Sequence, residues 1–167
     1  MGQREHCLDF VANADELMSG QLWAMQVPPT PAPVVVAAWS SDVATPAAIT
    51  ASRARLQKHV VESGLDDRAD DDSVDALLLT YEELTSNAVR HGRLPVCVTV
   101  TTTADGWLVD VQDCATERGP VPAVDRDPAR GGLGLHLVAR LSAAHGWWIE
   151  RQRKHVWASI QRIPAAN

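Results

Sequence analysis

The chain has 167 residues, 46% hydrophobic and 22% charged, with a formal net charge of -6. That length and apolar content suit one domain with a filled core, and they exclude two full domains or extensive disorder. The acidic balance, with no dense Lys/Arg run, argues against direct binding of nucleic acid. Cys7, Cys97 and Cys114 lie far apart with no CxxC or CxxH spacing, so they read as reduced thiols rather than zinc ligands. No apolar run reaches the roughly 20 residues of a membrane span. The opening MGQREHCLDF lacks the basic-then-apolar order of a signal peptide. The expectation is a cytoplasmic protein with no membrane partner.

In chain order, Leu17, Trp23 and Met25 suggest a short helix over Asn13–Gln26, and PPTPAP at 28–33 reads as an extended linker. Residues 1–33 are therefore expected to form an arm, packed on a domain that spans 34–163. Val34–Trp39 is a β-branched run and the first expected strand. Thr45-Pro46 supplies an N-cap followed by Pro at the first helical position, and Ile49, Leu56 and Val60 recur at helical spacing up to Gly64. An acidic loop, Asp66–Asp72, precedes a second helix capped by Asp72 or Ser73. Its stripe of Leu77, Tyr81, Leu84 and Ala88 ends near His91-Gly92.

Val96, Val98 and Val100 then alternate with Cys97, Thr99 and Thr101. Trp107, Val109 and Val111 alternate beyond an Asp105-Gly106 turn, which completes an antiparallel hairpin. Residues 114–131 show no periodicity, and a long loop of that kind is usually functional or mobile. A helix is expected over Leu135–Ala144. A final hairpin pairs Trp147–Glu150 with His155–Ile160 around Gln152-Arg153. The order lacks the βα rhythm of a parallel sheet. It reads as α+β: a mixed, mostly antiparallel sheet with helices on one face.

Three features carry candidate chemistry. Glu83 and Asn87 lie four apart on the second helix, each one residue ahead of a core position, and so border its buried stripe. Asp113 ends the second strand of the first hairpin, where a carboxylate either accepts from an amine or bonds its own backbone. Arg130-Gly-Gly132-Leu133-Gly134 opens a helix, where backbone N–H groups and the helix dipole favour an anion. Neither a Walker A loop nor a dinucleotide fingerprint is present.

Taken in order, these segments resemble the GHKL ATP-binding superfamily and, within it, the anti-sigma-factor serine/threonine-kinase branch. Glu83-Leu-Thr-Ser-Asn87-Ala-Val-Arg-His91-Gly92 resembles the N box with its His-Gly tail. Asp113 matches the first residue of the G1 box, and Gly132-Leu-Gly134-Leu-His-Leu-Val138 matches the G2 box. The likeness covers roughly Trp39 to Ile160 and implies a Bergerat-type ATP site in a two-layer sandwich. It implies Glu83 as general base, Asn87 as Mg²⁺ ligand and Asp113 as reader of the adenine amine. Gly132, Leu133 and Gly134 would lie on the phosphates, Arg130 against γ-phosphate charge and Ser159 in the adenine pocket, with 114–131 as the ATP lid.

The implied activity is phosphorylation of a small antagonist protein on Ser or Thr, coupled to sequestration of a sigma factor, with a homodimer as a further expectation. The G1 box usually reads Asp-x-Gly, whereas this chain has Asp113-Cys114-Ala115. That departure favours an alternative: a non-catalytic GHKL-fold protein-binding regulator with weak or no nucleotide binding.

Overall fold

In the computed structural model, the structure describes residues 23–29, 37–62, 71–122 and 133–163. The strands are β1 (Ala37–Val43), β2 (Val96–Thr102), β3 (Gly106–Asp113), β4 (Ala144–Glu150) and β5 (Arg153–Gln161). The helices are α1 (Pro46–Glu62), α2 (Asp71–His91) and α3 (Gly134–Leu141). The strands form one sheet in the order β1-β2-β3-β5-β4, with each neighbouring pair antiparallel.

Alternation fixes which face is buried. Val96, Val98 and Val100 of β2, Trp107, Val109 and Val111 of β3, and Val156, Ala158 and Ile160 of β5 share the face under the helices. The helices complete that core with Ile49, Leu56 and Val60 of α1, Leu77, Tyr81, Leu84 and Ala88 of α2, and Leu135 and Val138 of α3. Each such aliphatic side chain contributes about 1.5–3 kcal/mol on burial.

α2 is the longest element, and its ends suit the helix dipole: Asp71 and Asp72 lie in the first turn, Arg90 and His91 in the last. Ser73 is not its cap. It lies inside the helix, buried, and accepts a hydrogen bond from the Ile163 N–H at 2.9 Å. Thr45 does cap α1, accepting from the Ala48 N–H at 3.2 Å. Tyr81 donates to Ser52 Oγ at 2.7 Å and so ties α2 to α1.

Several boundaries differ from the sequence expectation. The first strand runs over Ala37–Val43, and α3 stops at Leu141 because Ala144 pairs with Ser159 as the start of β4. The expected helix over Asn13–Gln26 is overturned at its C-terminal end, while residues 13–22 lie outside the described residues. Met25 makes a parallel bridge to Trp147, the Gln26 N–H donates to the Trp147 carbonyl at 2.8 Å, and the Trp147 N–H donates to the Ala24 carbonyl at 3.2 Å. This segment therefore covers the β4 edge as extended chain, satisfying backbone groups that a bare edge strand would leave open.

Candidate functional site

The site lies between α2, the chain that follows β3, and the N-terminus of α3. These elements line a cavity of about 610 Å³, with Glu83, Asn87, Arg90, Gly92, Ala115, Gly119, Gly134 and Lys154 among its walls. From Glu83 to His91 the cavity wall follows α2 for nine residues, about 12 Å at 1.5 Å per residue, and Gly92 continues it. Glu83, Asn87 and Arg90 share one face at i, i+4 and i+7.

At one end Glu83 lies against Gly134. A Cβ built on Gly134 would collide with Glu83 Oε2 and approach its Cδ to 2.9 Å. A side chain at this position would push the Glu83 carboxylate aside where α3 opens. Burial, reinforced by the charge of Glu82 and opposed by Arg90, holds the Glu83 carboxyl above the usual carboxylate range. A base tuned upward in this way is better matched to proton transfer near neutral pH.

At the other end Asp113 is fully buried, at 0% exposure. Its Oδ1 accepts the Ala115 N–H at 2.7 Å, the backbone turn open to a loop-starting Asp. Its Oδ2 lies 3.0 Å from Lys154 Nζ, an ion pair between two buried side chains. No hydrogen bond reaches that oxygen among the described residues. Gly92 packs on the same carboxylate, with room for no Cβ: one would sit 2.7 Å from Asp113 Oδ2 and 2.5 Å from the Ala88 carbonyl oxygen.

Charge in the cavity opposes that of the whole molecule. Arg90, Arg93, Arg118 and Lys154 line it against Glu83 and Glu117, within a chain of net charge -6. Arg93 and Glu117 pair across it at 3.0 Å. This pair, after the backbone contacts of Glu117 itself, pulls the Glu117 carboxyl below its usual range. A cationic recess in an acidic protein attracts an anionic ligand.

Of the residues singled out in the sequence, the fold brings Glu83, Asn87 and Gly134 to one cavity, with Asp113 directly beneath Lys154. Leu133 is half-exposed at the N-cap position of α3, without a side-chain cap bond. Ser159 lies on the opposite face of β5, away from the helices, because its neighbours Ala158 and Ile160 take the core face. Arg130 and Gly132 lie outside the described residues. Lys154, Arg90 and Gly92 are wall residues that sequence reasoning did not assign. Arg90 was findable from its helical spacing to Glu83 and Asn87, whereas Lys154 enters only through its register opposite Asp113.

The donor set fits a magnesium nucleotide. Mg²⁺ commonly takes one or two protein oxygens and completes its shell with phosphates and water, which suits a lone Asn87 amide. The helix N-terminus beside Gly134 suits phosphate, and Asp113 Oδ2 carries unmet acceptor capacity.

Residues 43–160 match the family described as histidine kinase-like ATPase domain. No curated protein sequence matches the chain. Among solved structures it is similar to the RsbU and RsbW domains of Rv1364c from Mycobacterium tuberculosis, with 19% identity and a TM-score of 0.54 over 76% of this chain. It spans only about a third (33%) of that chain's length. It is also similar to a chain of the SiaB-SiaC complex from Pseudomonas aeruginosa, with 16% identity and a TM-score of 0.51 over 92% of this chain and 98% of the other. At these identities the structural likeness is one of fold. No helix among the described residues is long and apolar enough to cross a membrane.

Proposed function

Because the chain belongs to the histidine kinase-like ATPase domain family, we propose that it is an ATP-dependent anti-sigma regulator that phosphorylates a small antagonist protein on Ser or Thr and sequesters a sigma factor. The observation that carries this reading is the junction of Glu83 with the α3 N-terminus at Gly134, on the same α2 face as Asn87. In this reading a base, a metal ligand and an anion-binding helix end meet around one cavity. The RsbW domain and the SiaB-SiaC complex among the fold neighbours support the regulatory half.

MgATP, when bound, supplies the γ-phosphoryl group together with the metal charge that its transfer needs. In this reading Asn87 holds the metal, and the backbone at Leu133–Gly134 faces the phosphates. Arg90 and Arg118 offset phosphate charge, a role that Arg130 shares, while the Gly132 backbone N–H joins those at the phosphates. Glu83 accepts the proton of the partner's hydroxyl as that oxygen becomes the nucleophile, and its raised pKa keeps the proton acceptable near neutral pH. A homodimer is part of the proposal.

The test is transfer from γ-labelled ATP to proteins in an extract of the source cells. Wild type is expected to label a small protein on Ser or Thr, and Glu83→Ala to abolish that label. Labelling that does not depend on Glu83 would refute the assignment.

A second reading is favoured by Ala115. It lines the cavity, and its methyl replaces the bare glycine of the usual G1 box beside a buried, ion-paired Asp113. In that reading the protein binds its partners without transferring phosphate.

A further inference from the structure

Trp147 stands between the cavity wall and the extended segment 23–29, and it touches both. We propose that the β4 edge is a docking site for that segment, and that its occupancy controls the cavity wall through Trp147. Segment and nucleotide then bind cooperatively. The nucleotide half rests on the ATP reading above; the docking half does not.

The segment is gripped from both faces of the sheet. Trp147, on the helix side, donates from Nε1 to the Trp23 carbonyl at 3.1 Å. Trp157 lies on the opposite side, since Val156 and Ala158 take the core face, and its Nε1 donates to the Gln26 carbonyl at 2.8 Å. Between them, backbone hydrogen bonds join Trp147 to Ala24 and Gln26. Gln26 Nε2 donates to the His145 carbonyl at 2.7 Å. Gly146 leaves the room this needs: a Cβ there would sit 2.6 Å from Gln26 Cγ. The edge thus fits an extended segment with an aromatic anchor at Trp23 and a glutamine three residues on.

The same indole meets the cavity. Gly119 is a wall residue, and a Cβ on it would collide with Trp147 Cε2 and lie 2.7 Å from Nε1. Gly119 therefore rests on the ring edge that carries the N–H bonded to Trp23. Without the segment, that N–H loses its acceptor and the indole loses the neighbour that fixes it. A ligand entering the cavity must then order this wall itself, which lowers its affinity. Linkage makes the effect reciprocal, so a ligand that orders Gly119 strengthens docking of the segment.

The test reads both ends in the whole chain. Hydrogen exchange of the Gln26 N–H, bonded to the Trp147 carbonyl, reports docking. Gly119→Ala pushes on the indole. In the ligand-free protein it should speed Gln26 exchange about tenfold, while the Val98 and Val109 amides keep their wild-type rates. Gln26→Pro removes the bonded N–H and the side-chain donor at a position that is not among the cavity walls. It should weaken MgATP binding about tenfold by titration calorimetry, a usual size for coupling between sites. Saturating MgATP should slow Gln26 exchange in wild type.

Unchanged Gln26 exchange in Gly119→Ala overturns the link, and so does equal acceleration at Val98 and Val109. Equal MgATP affinity of wild type and Gln26→Pro overturns the cooperativity and leaves ATP binding intact. Absence of MgATP binding by wild type overturns the ATP reading and the cooperativity with it, while the ligand-free exchange still decides the docking half. Gln26 is exposed, so the affinity comparison stands even if Gly119→Ala fails to fold.

Discussion

Gly134 and Glu83 touch so closely that no side chain fits between them: the space a Cβ would need at Gly134 is filled by the Glu83 carboxylate. The G2 glycine therefore serves the base on α2 as well as any anion at the α3 N-terminus. Gly134→Ala should displace the Glu83 carboxylate at the low end of the overpacking range, about 1 kcal/mol, because the end of a flexible side chain can move aside, and should lower nucleotide affinity. The double variant Glu83→Ala/Gly134→Ala should recover most of the lost thermal stability. A melt of the four proteins checks this, and a double variant no more stable than Gly134→Ala alone would place the strain elsewhere.

Glu83 also makes stability depend on pH. Its folded-state pKa is raised, chiefly by burial, so the folded protein holds this proton more tightly than the unfolded chain does. The contribution is present below the ordinary Glu value of about 4.3 and is lost as pH rises through the higher folded value. Glu83→Gln should therefore raise the Tm at pH 7 relative to wild type and change it little near pH 4. The gain should stay below about 1 kcal/mol, since the carboxylate is partly exposed and screened. Equal effects at both pH values would contradict the raised pKa.

The β4–β5 turn, whose two residues are not among the cavity walls, stores strain. Arg151 and Gln152 both have positive φ, 47° and 63°, a conformation that side chains with a Cβ resist by about 1–2 kcal/mol per residue. Asn-Gly is the pair this two-residue turn prefers. Arg151→Asn/Gln152→Gly should raise stability by about 1–2 kcal/mol in urea denaturation without altering nucleotide binding.

Trp23 anchors the extended segment on the β4 edge. It is 4% exposed, its ring lies 4.8 Å from that of His145, and its carbonyl accepts from Trp147 Nε1 at 3.1 Å. Trp23→Ala should cost about 3–5 kcal/mol, as for other buried aromatics. Digestion with limiting protease should then cut near residues 23–29 sooner than in wild type.

How much of this was legible in the sequence depended on whether the signal was local. The stripe Leu77, Tyr81, Leu84, Ala88 and the alternation of Val96, Val98 and Val100 were readable because each repeats at its element's own period. So was the spacing of Glu83 and Asn87, which a helix alone brings to one face. What sequence missed depends on distant partners. Met25 looked helical, but its bridge to Trp147 draws it out as extended chain. Ala144 has high helix propensity, yet pairing with Ser159 makes it strand. Lys154 sits between Arg153 and His155 as one more polar residue in a turn-proximal run. Only the β3–β5 register places it on Asp113. Ser159 was expected in the pocket because a strand hydroxyl can serve a base, but the same register turns it to the other face.

The central claim is a magnesium nucleotide site in the cavity between α2 and α3, and titration calorimetry of MgATP against the whole chain, with Asn87→Ala alongside, tests it most directly. The account predicts saturable, Mg²⁺-dependent binding that Asn87→Ala weakens about tenfold, the equivalent of about 1.4 kcal/mol. No heat of binding up to millimolar MgATP, in a wild-type protein shown to be folded, would contradict it.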